Sequence, residues 1–292
     1  MNQSAMNDPA DPLHAHLLDI MSDPAAVGLI LTGGYGLRLK QFHLQNTNAA
    51  TLQAILPEAR ATQDLDFLLR LALFVQKERG TAVRTLLDRL GYQEYTPRWQ
   101  FGKSFDSSAP GRTVKVDLLA RSPLADEIVR VKGSRVGAGA GINMHGRETP
   151  EAFAVEESPI PLSVSGMNTR NELVTTTVYV PHPYAWINMK IAAAYDWLRR
   201  ERGEIPSKYG AEKHVFDVFI LTAMLTETEV SEVTDIANRY QKHPVAQNAR
   251  IWAHELYGSN QAPGTQEIMR QAGSNLDYPL FWQGLQAGLG TL

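Results

Sequence analysis

Two segments about thirty residues apart constrain this chain more than anything else in it. The first is Val27-Gly28-Leu29-Ile30-Leu31, an apolar run that leads through Thr32 into Gly33-Gly34 and the amphipathic stretch GGYGLRLK. That order predicts a strand, a glycine turn and a helix start, where backbone N–H groups converge on an anion. The second, RATQDLDF at residues 60–67, carries Asp64-Leu65-Asp66. Side chains two apart in a strand share a face, so both carboxylates point the same way. In an apolar strand they repel each other and lose hydration unless a cation stands between them. A divalent metal is the simplest such partner, and Mg²⁺ commonly sits on one or two carboxylates plus substrate phosphates. A phosphate cradle beside a metal-binding strand is a nucleotide-handling design.

A third strand-borne carboxylate follows. In TVKVDLLAR, Val114, Val116 and Leu118 share one face, and Lys115, Asp117 and Leu119 the other. Three carboxylates on neighbouring strands can hold one or two Mg²⁺ ions, the arrangement used for in-line displacement at phosphorus. Further on, Lys190 falls beside the apolar stripe of Ile187, Ile191 and Ala194, so it either snorkels or serves an anionic pocket. Asp217, within VFDVFIL, needs a partner such as Lys190 or Lys213, unless it marks the wet face of its helix.

The remaining periodicity predicts an α+β chain in two parts. Helices are expected at 12–21, 34–39 and 71–90, and strands at 64–69, 127–132 and 173–180. A hairpin joins 98–105 to 113–120 through a turn at 107–111. The glycine-rich segment 133–146 lacks both GK[ST] and the GxGxxG register and reads as a surface loop. Beyond Pro181-His182-Pro183 the pattern is helical, with segments at 184–200, 213–225 and 229–240 and more between Pro244, Pro263 and Pro279. The break divides residues 1–180, of which 1–11 are expected to fray, from residues 181–292.

The absence of cysteine excludes disulfides, thiolate zinc sites and cysteine nucleophiles, and fits a cytoplasmic protein. No apolar run approaches the roughly 20 residues of a membrane helix, and the polar N-terminus has no signal-peptide character. A net charge of −3 argues against indiscriminate coating of nucleic acid, while basic residues between Lys103 and Arg135 offer a local patch for RNA phosphates or a solvated edge. The eight histidines show no metal-ligand spacing and are expected to be structural or at the surface.

Taken together, GGYGLRL, RATQDLDF, VKVDLL and the later helices with Lys190 and KHVFD resemble the AbiEii/AbiGii toxin family, which includes the MenT-type nucleotidyltransferase toxins. The resemblance spans about residues 29–225. It implies a polymerase-β-like nucleotidyltransferase domain, a mixed sheet with flanking helices, joined to a helical C-terminal domain. It also implies Mg²⁺-dependent transfer of a nucleotide from an NTP to the 3′ end of tRNA, blocking aminoacylation, under restraint by a cognate antitoxin. By position, Gly33 and Gly34 would hold phosphates and Asp64 and Asp66 the metal. Asp117 would be the third acid, Lys190 would contact the triphosphate, and Asp217 would support Lys190. Tyr35-Gly36 stands where the family more usually has a small residue and alanine. Two other readings stay open: transfer to a small hydroxylated molecule or a protein hydroxyl, and a catalytically idle relative that binds nucleotide or a partner.

Overall fold

The run LILT forms a strand whose four residues are all buried, and the glycines after it open a helix without an intervening loop. The structure, a computed structural model, describes residues 12–59, 62, 64–104, 113–137, 144–207, 210–273 and 276–291. The expected frayed leader, Arg60 of the acidic motif, the 107–111 turn, Arg112 and part of the glycine-rich segment lie outside these.

In chain order the elements begin α1 (Pro12–Met21), β1 (Leu29–Thr32), α2 (Gly33–Asn46), β2 (Asp64–Leu69), α3 (Ala72–Val75) and α4 (Lys77–Arg89). Then come β3 (Gln93–Thr96), β4 (Gln100–Ser104), β5 (Thr113–Ala120), β6 (Arg130–Lys132), β7 (Arg135–Gly137), β8 (Gly146–Glu148), β9 (Ile160–Met167) and β10 (Leu173–Val180). The helices α5 (Pro183–Glu201), α6 (Lys213–Ala223), α7 (Glu227–Tyr240), α8 (Pro244–Tyr257), α9 (Pro263–Ala272) and α10 (Tyr278–Leu289) follow. The architecture is α+β. Its main sheet is mixed, in the order β1-β2-β5-β8-β7-β6, with β4 also on β5 and β3 on β4. β2 and β5 run parallel, as do β5 and β8; the other pairs are antiparallel. The hairpin of β9 and β10 is a separate two-stranded sheet.

Several elements differ from expectation, each for a local reason. The stripe Leu37, Gln41 and Leu44 is buried, which carries α2 past the expected end at residue 39. The single helix expected at 71–90 divides at Gln76, whose backbone is extended at φ −96° and ψ 94°. Between Phe74 and Val83 only Gly80 is buried, so no apolar stripe anchors those turns. β3 is missed from sequence because three of its four residues are exposed and show no alternation. β9 does alternate, burying Leu162 and Val164, but Pro161, Ser163 and Gly166 mask the pattern. The glycine-rich segment is not all loop: β6 turns into β7 through Gly133-Ser134, with Gly133 at φ +60°, as a glycine-first two-residue hairpin needs.

The chain divides into two compact units. One comprises Met1–Asn46, Arg60–Pro150 and Pro159–Val180; the other Thr47–Ala59, Glu151–Ser158 and Pro181–Leu292. Two segments from the N-terminal part thus join the second unit. Leu52 and Gln53 donate their backbone N–H groups to the carbonyls of Leu225 and Ala223 at 2.8 and 3.2 Å, satisfying the open end of α6. Phe153 stacks on His243 at 4.2 Å and meets Tyr184 edge-on at 6.2 Å, while Glu157 pairs with Arg239 at 2.9 Å. A buried aromatic of this kind contributes about 1.5–3 kcal/mol. α7 starts at Glu227, two residues before its expected start, because Thr226 and Glu229 form a reciprocal capping box.

Candidate active site

The carboxylates are set by strand register. On β2, Leu65 and Phe67 are buried while Asp64 and Asp66 are half-buried; on β5, Val114, Val116 and Leu118 are buried while Lys115 and Asp117 are half-buried. Because β2 and β5 are parallel neighbours, Asp66 lies in register with Asp117 and Asp64 with Lys115. Directly paired residues share a face, so all three aspartates look out from one side of the sheet. Gln100 of β4 is in register with Asp117 from the other edge, and its Nε2 donates to Asp117 Oδ1 at 2.8 Å. Burial pushes the Asp117 carboxyl above its ordinary range; the Gln100 hydrogen bond opposes this, and the charge of Asp64 pushes the same way as burial. Asp117 therefore feels the charge of Asp64, while the Lys115 and Arg147 cations act the other way.

The glycine corner sits on the same face. Thr32 is in register with Asp66, and the next residue, Gly33, turns the chain into α2 with φ +68°. A Cβ at position 33 would stand 1.9 Å from Asp66 Oδ2, so only glycine lets the corner close on that carboxylate. Gly34 is buried in the first turn of α2. Among the described residues the buried Thr32 Oγ1 has no hydrogen-bond partner, an unmet polar group beside the acids. We expect Gly33→Ala to lower stability by about 1–2 kcal/mol through its left-handed backbone. The side chain of Asp66 must also rotate away, so nucleotide binding in the presence of Mg²⁺ should fall more than tenfold in a calorimetric titration; unchanged binding would contradict this geometry.

Among the described residues, no three acids or histidines stand close enough to enclose a metal ion by themselves. Mg²⁺ does not require a closed protein cage, since it keeps waters and takes phosphate oxygens. The repulsion between Asp64 and Asp117, the Thr32 hydroxyl and a corner that only glycine fits suit a divalent cation that arrives with a triphosphate.

Lys190 and Asp217 lie in the second unit. Both are buried, Asp217 completely, and Lys190 Nζ donates to Asp217 Oδ2 at 2.6 Å. Lys190 thus neither snorkels nor faces solvent, and it, rather than Lys213, is the cation hydrogen-bonded to Asp217. His214 Nδ1 is 3.7 Å from the same oxygen, too long for a hydrogen bond but close enough for charge to be felt. Burial holds the His214 pKa down at about 4; Asp217 opposes the shift, and the Lys190 ammonium reinforces it.

This gives a pH dependence. The unfolded chain binds a proton at His214 near pH 6.5 and the fold does not until about 4, so stability is full above 6.5 and is lost as pH falls through that window. The loss is at most about 1.4 kcal/mol per pH unit, less because the ring is partly exposed. His16, held near 4 by burial and by Lys103, adds to it. Urea midpoints at pH 5 and pH 7 should therefore differ less in His214→Gln than in the wild type; an equal difference would show that His214 is not the group.

The basic residues expected as one patch separate. Arg121 is neutralised by Glu127 at 2.5 Å, Lys103 lies over the Tyr92 ring at 5.8 Å on the opposite face, and Lys115 lies over Tyr95 at 5.2 Å. Sequence reasoning missed Thr32, Gln100 and His214 as members of these sites. The signal for Thr32 was its place just before the glycines. Gln100 had none, because its pairing depends on the register of a hairpin.

No protein-family model and no curated protein matches this sequence. Among the described residues, no helix is long and apolar enough to cross a membrane.

Proposed function

We propose that this protein is a Mg²⁺-dependent nucleotidyltransferase that moves a nucleoside monophosphate from an NTP to RNA, foremost the 3′ acceptor end of tRNA. It would act as the toxin of a toxin–antitoxin pair of the AbiEii/AbiGii type. One observation carries the enzymatic reading: Asp66 and Asp117 stand in register on parallel strands, with Asp64 on the same face and the Gly33 corner closed on Asp66. The resemblance in GGYGLRL, RATQDLDF and VKVDLL supplies the tRNA end and the antitoxin.

In this reading a ribose hydroxyl oxygen bonds to the α-phosphorus while the bond from that phosphorus to the bridging oxygen of pyrophosphate breaks. The hydroxyl proton passes to Asp117 Oδ2, the oxygen that Gln100 does not engage; a carboxylate raised by burial is the better base. Asp64, Asp66 and Asp117 would hold Mg²⁺, which when bound neutralises triphosphate charge and polarises the phosphoryl oxygens. Backbone N–H groups at the start of α2 would meet the phosphates, and Thr32 Oγ1 would find a partner among them. The chain's contribution is alignment and charge compensation.

The test is incubation with each α-labelled NTP in turn, with Mg²⁺ and total RNA. Label on tRNA-sized RNA from at least one NTP is the expected result. No label from any of them, with protein shown to be folded, overturns the enzymatic reading. Label on a small hydroxylated molecule and none on RNA overturns the acceptor.

A further inference from the structure

Continue the carboxylate-bearing face past β5 and its charge reverses. Leu119, two residues beyond Asp117, is in register with Arg147 of β8; Arg147 is in register with Arg135 of β7, and Arg135 with Lys132 of β6. Directly paired residues share a face, so these cations lie on the same side of the sheet as the aspartates, with Arg130 two residues along from Lys132. A cavity of about 970 Å³ opens there, lined by these four and by Arg98 and Trp99. None of its described lining residues is acidic.

Elsewhere several guanidinium groups meet carboxylates: Arg84 pairs with Asp88 at 2.9 Å, Arg121 with Glu127 at 2.5 Å and Arg202 with Glu255 at 2.6 Å. None of the five cations of this cavity forms an ion pair with a carboxylate among the described residues, although the charge of Arg147 is felt at Asp117. Arg98 reaches only the His145 ring at 3.5 Å, and Arg147 lies over Trp99 at 5.6 Å. Like charges directly opposite on neighbouring strands destabilise a sheet, and here two such pairs, Lys132 with Arg135 and Arg135 with Arg147, adjoin. One lysine would suffice to keep an edge strand from aggregating. Five cations from three strands and the β3–β4 turn, converging on one cavity without an ion pair among the described residues, need an anion.

A linear polyanion matches cations strung across three strands better than a single phosphate group does. Trp99 adds an aromatic plane of the kind on which single-stranded bases stack. We infer that this pocket binds the phosphate backbone of single-stranded RNA, holding consecutive phosphates so that the strand runs along the sheet face towards Asp117. The direction of the strand rests on the nucleotidyltransferase reading; the binding does not.

The experiment is fluorescence anisotropy of a short labelled single-stranded RNA with the full chain, without NTP or Mg²⁺, across a range of salt. Each phosphate neutralised on a single strand contributes about −0.7 to the slope of log affinity against log salt. For the triple variant Arg130→Ala/Lys132→Ala/Arg135→Ala we expect that slope to flatten by about 2, affinity to fall more than tenfold, and the melting temperature to hold or rise as repulsion is relieved. These three side chains are exposed, so the variant keeps the core intact. Unchanged slope and affinity in the triple variant would overturn the inference. So would a variant that keeps its RNA affinity and instead loses binding of a free NTP, which would make the pocket a nucleotide site. With no NTP in the RNA titration, failure of the transfer reading leaves that readout unmoved.

Discussion

Asp66→Asn should abolish nucleotide transfer, by about 10²–10³-fold or more, and leave the melting temperature within about 2 °C of the wild type. The two halves of that result have different causes. Asparagine fills the same space against Gly33, where the carboxylate oxygen lies 1.9 Å from the position a Cβ would take, so packing is preserved. On the proposed reading, what is lost is the charge that would hold the triphosphate's counter-ion. A large fall in melting temperature with transfer retained would make Asp66 a structural residue instead.

The largest effect on stability should come from Asp217→Leu. Lys190 and Asp217 are buried and hydrogen-bonded at 2.6 Å, and removing one partner leaves an uncompensated buried charge. That costs about 3–5 kcal/mol, a drop on the order of 10 °C in melting temperature. Converting both to apolar residues, Lys190→Met with Asp217→Leu, should recover most of the loss, since a buried ion pair and a well-packed apolar pair are often near equal. Thermal denaturation of the single and double variants decides it, and equal losses in both would show that the pair contributes through packing rather than charge. Transfer activity in the folded double variant then tells whether Lys190 also touches the triphosphate, as the family resemblance implies.

How much of this was legible in the sequence follows the range of the forces involved. Asp64, Asp66 and Asp117 could be assigned to strand faces because alternation is local: Asp66 lies between buried Leu65 and Phe67, Asp117 between buried Val116 and Leu118, and Asp64 two residues before Asp66. That Asp66 stands opposite Asp117, rather than one residue out of register, is a long-range fact fixed by β2 pairing in parallel with β5. Gly33 was singled out as part of a turn, but its need to be glycine comes from Asp66, more than thirty residues away. The sequence offered a basic patch that included Arg130, Lys132 and Arg135, but not its place on the aspartates' face or the part of Arg147 in it, for the same reason. Arg135 and Arg147 come together only because three short strands, too brief to show periodicity, pair side by side. In the helical half, Asp217 signalled a partner through its apolar surroundings, while the choice of Lys190 over Lys213 needed the packing of α5 on α6.

The most direct measurement is a Mn²⁺ titration followed by electron paramagnetic resonance, with a non-hydrolysable NTP analogue present. The full chain should bind the ion together with the analogue, and Asp66→Asn and Asp117→Asn should each weaken that binding at least tenfold while keeping the fold. Binding of ion and analogue that is equally strong in the wild type and in both variants would mean that the paired aspartates do not make a nucleotide site.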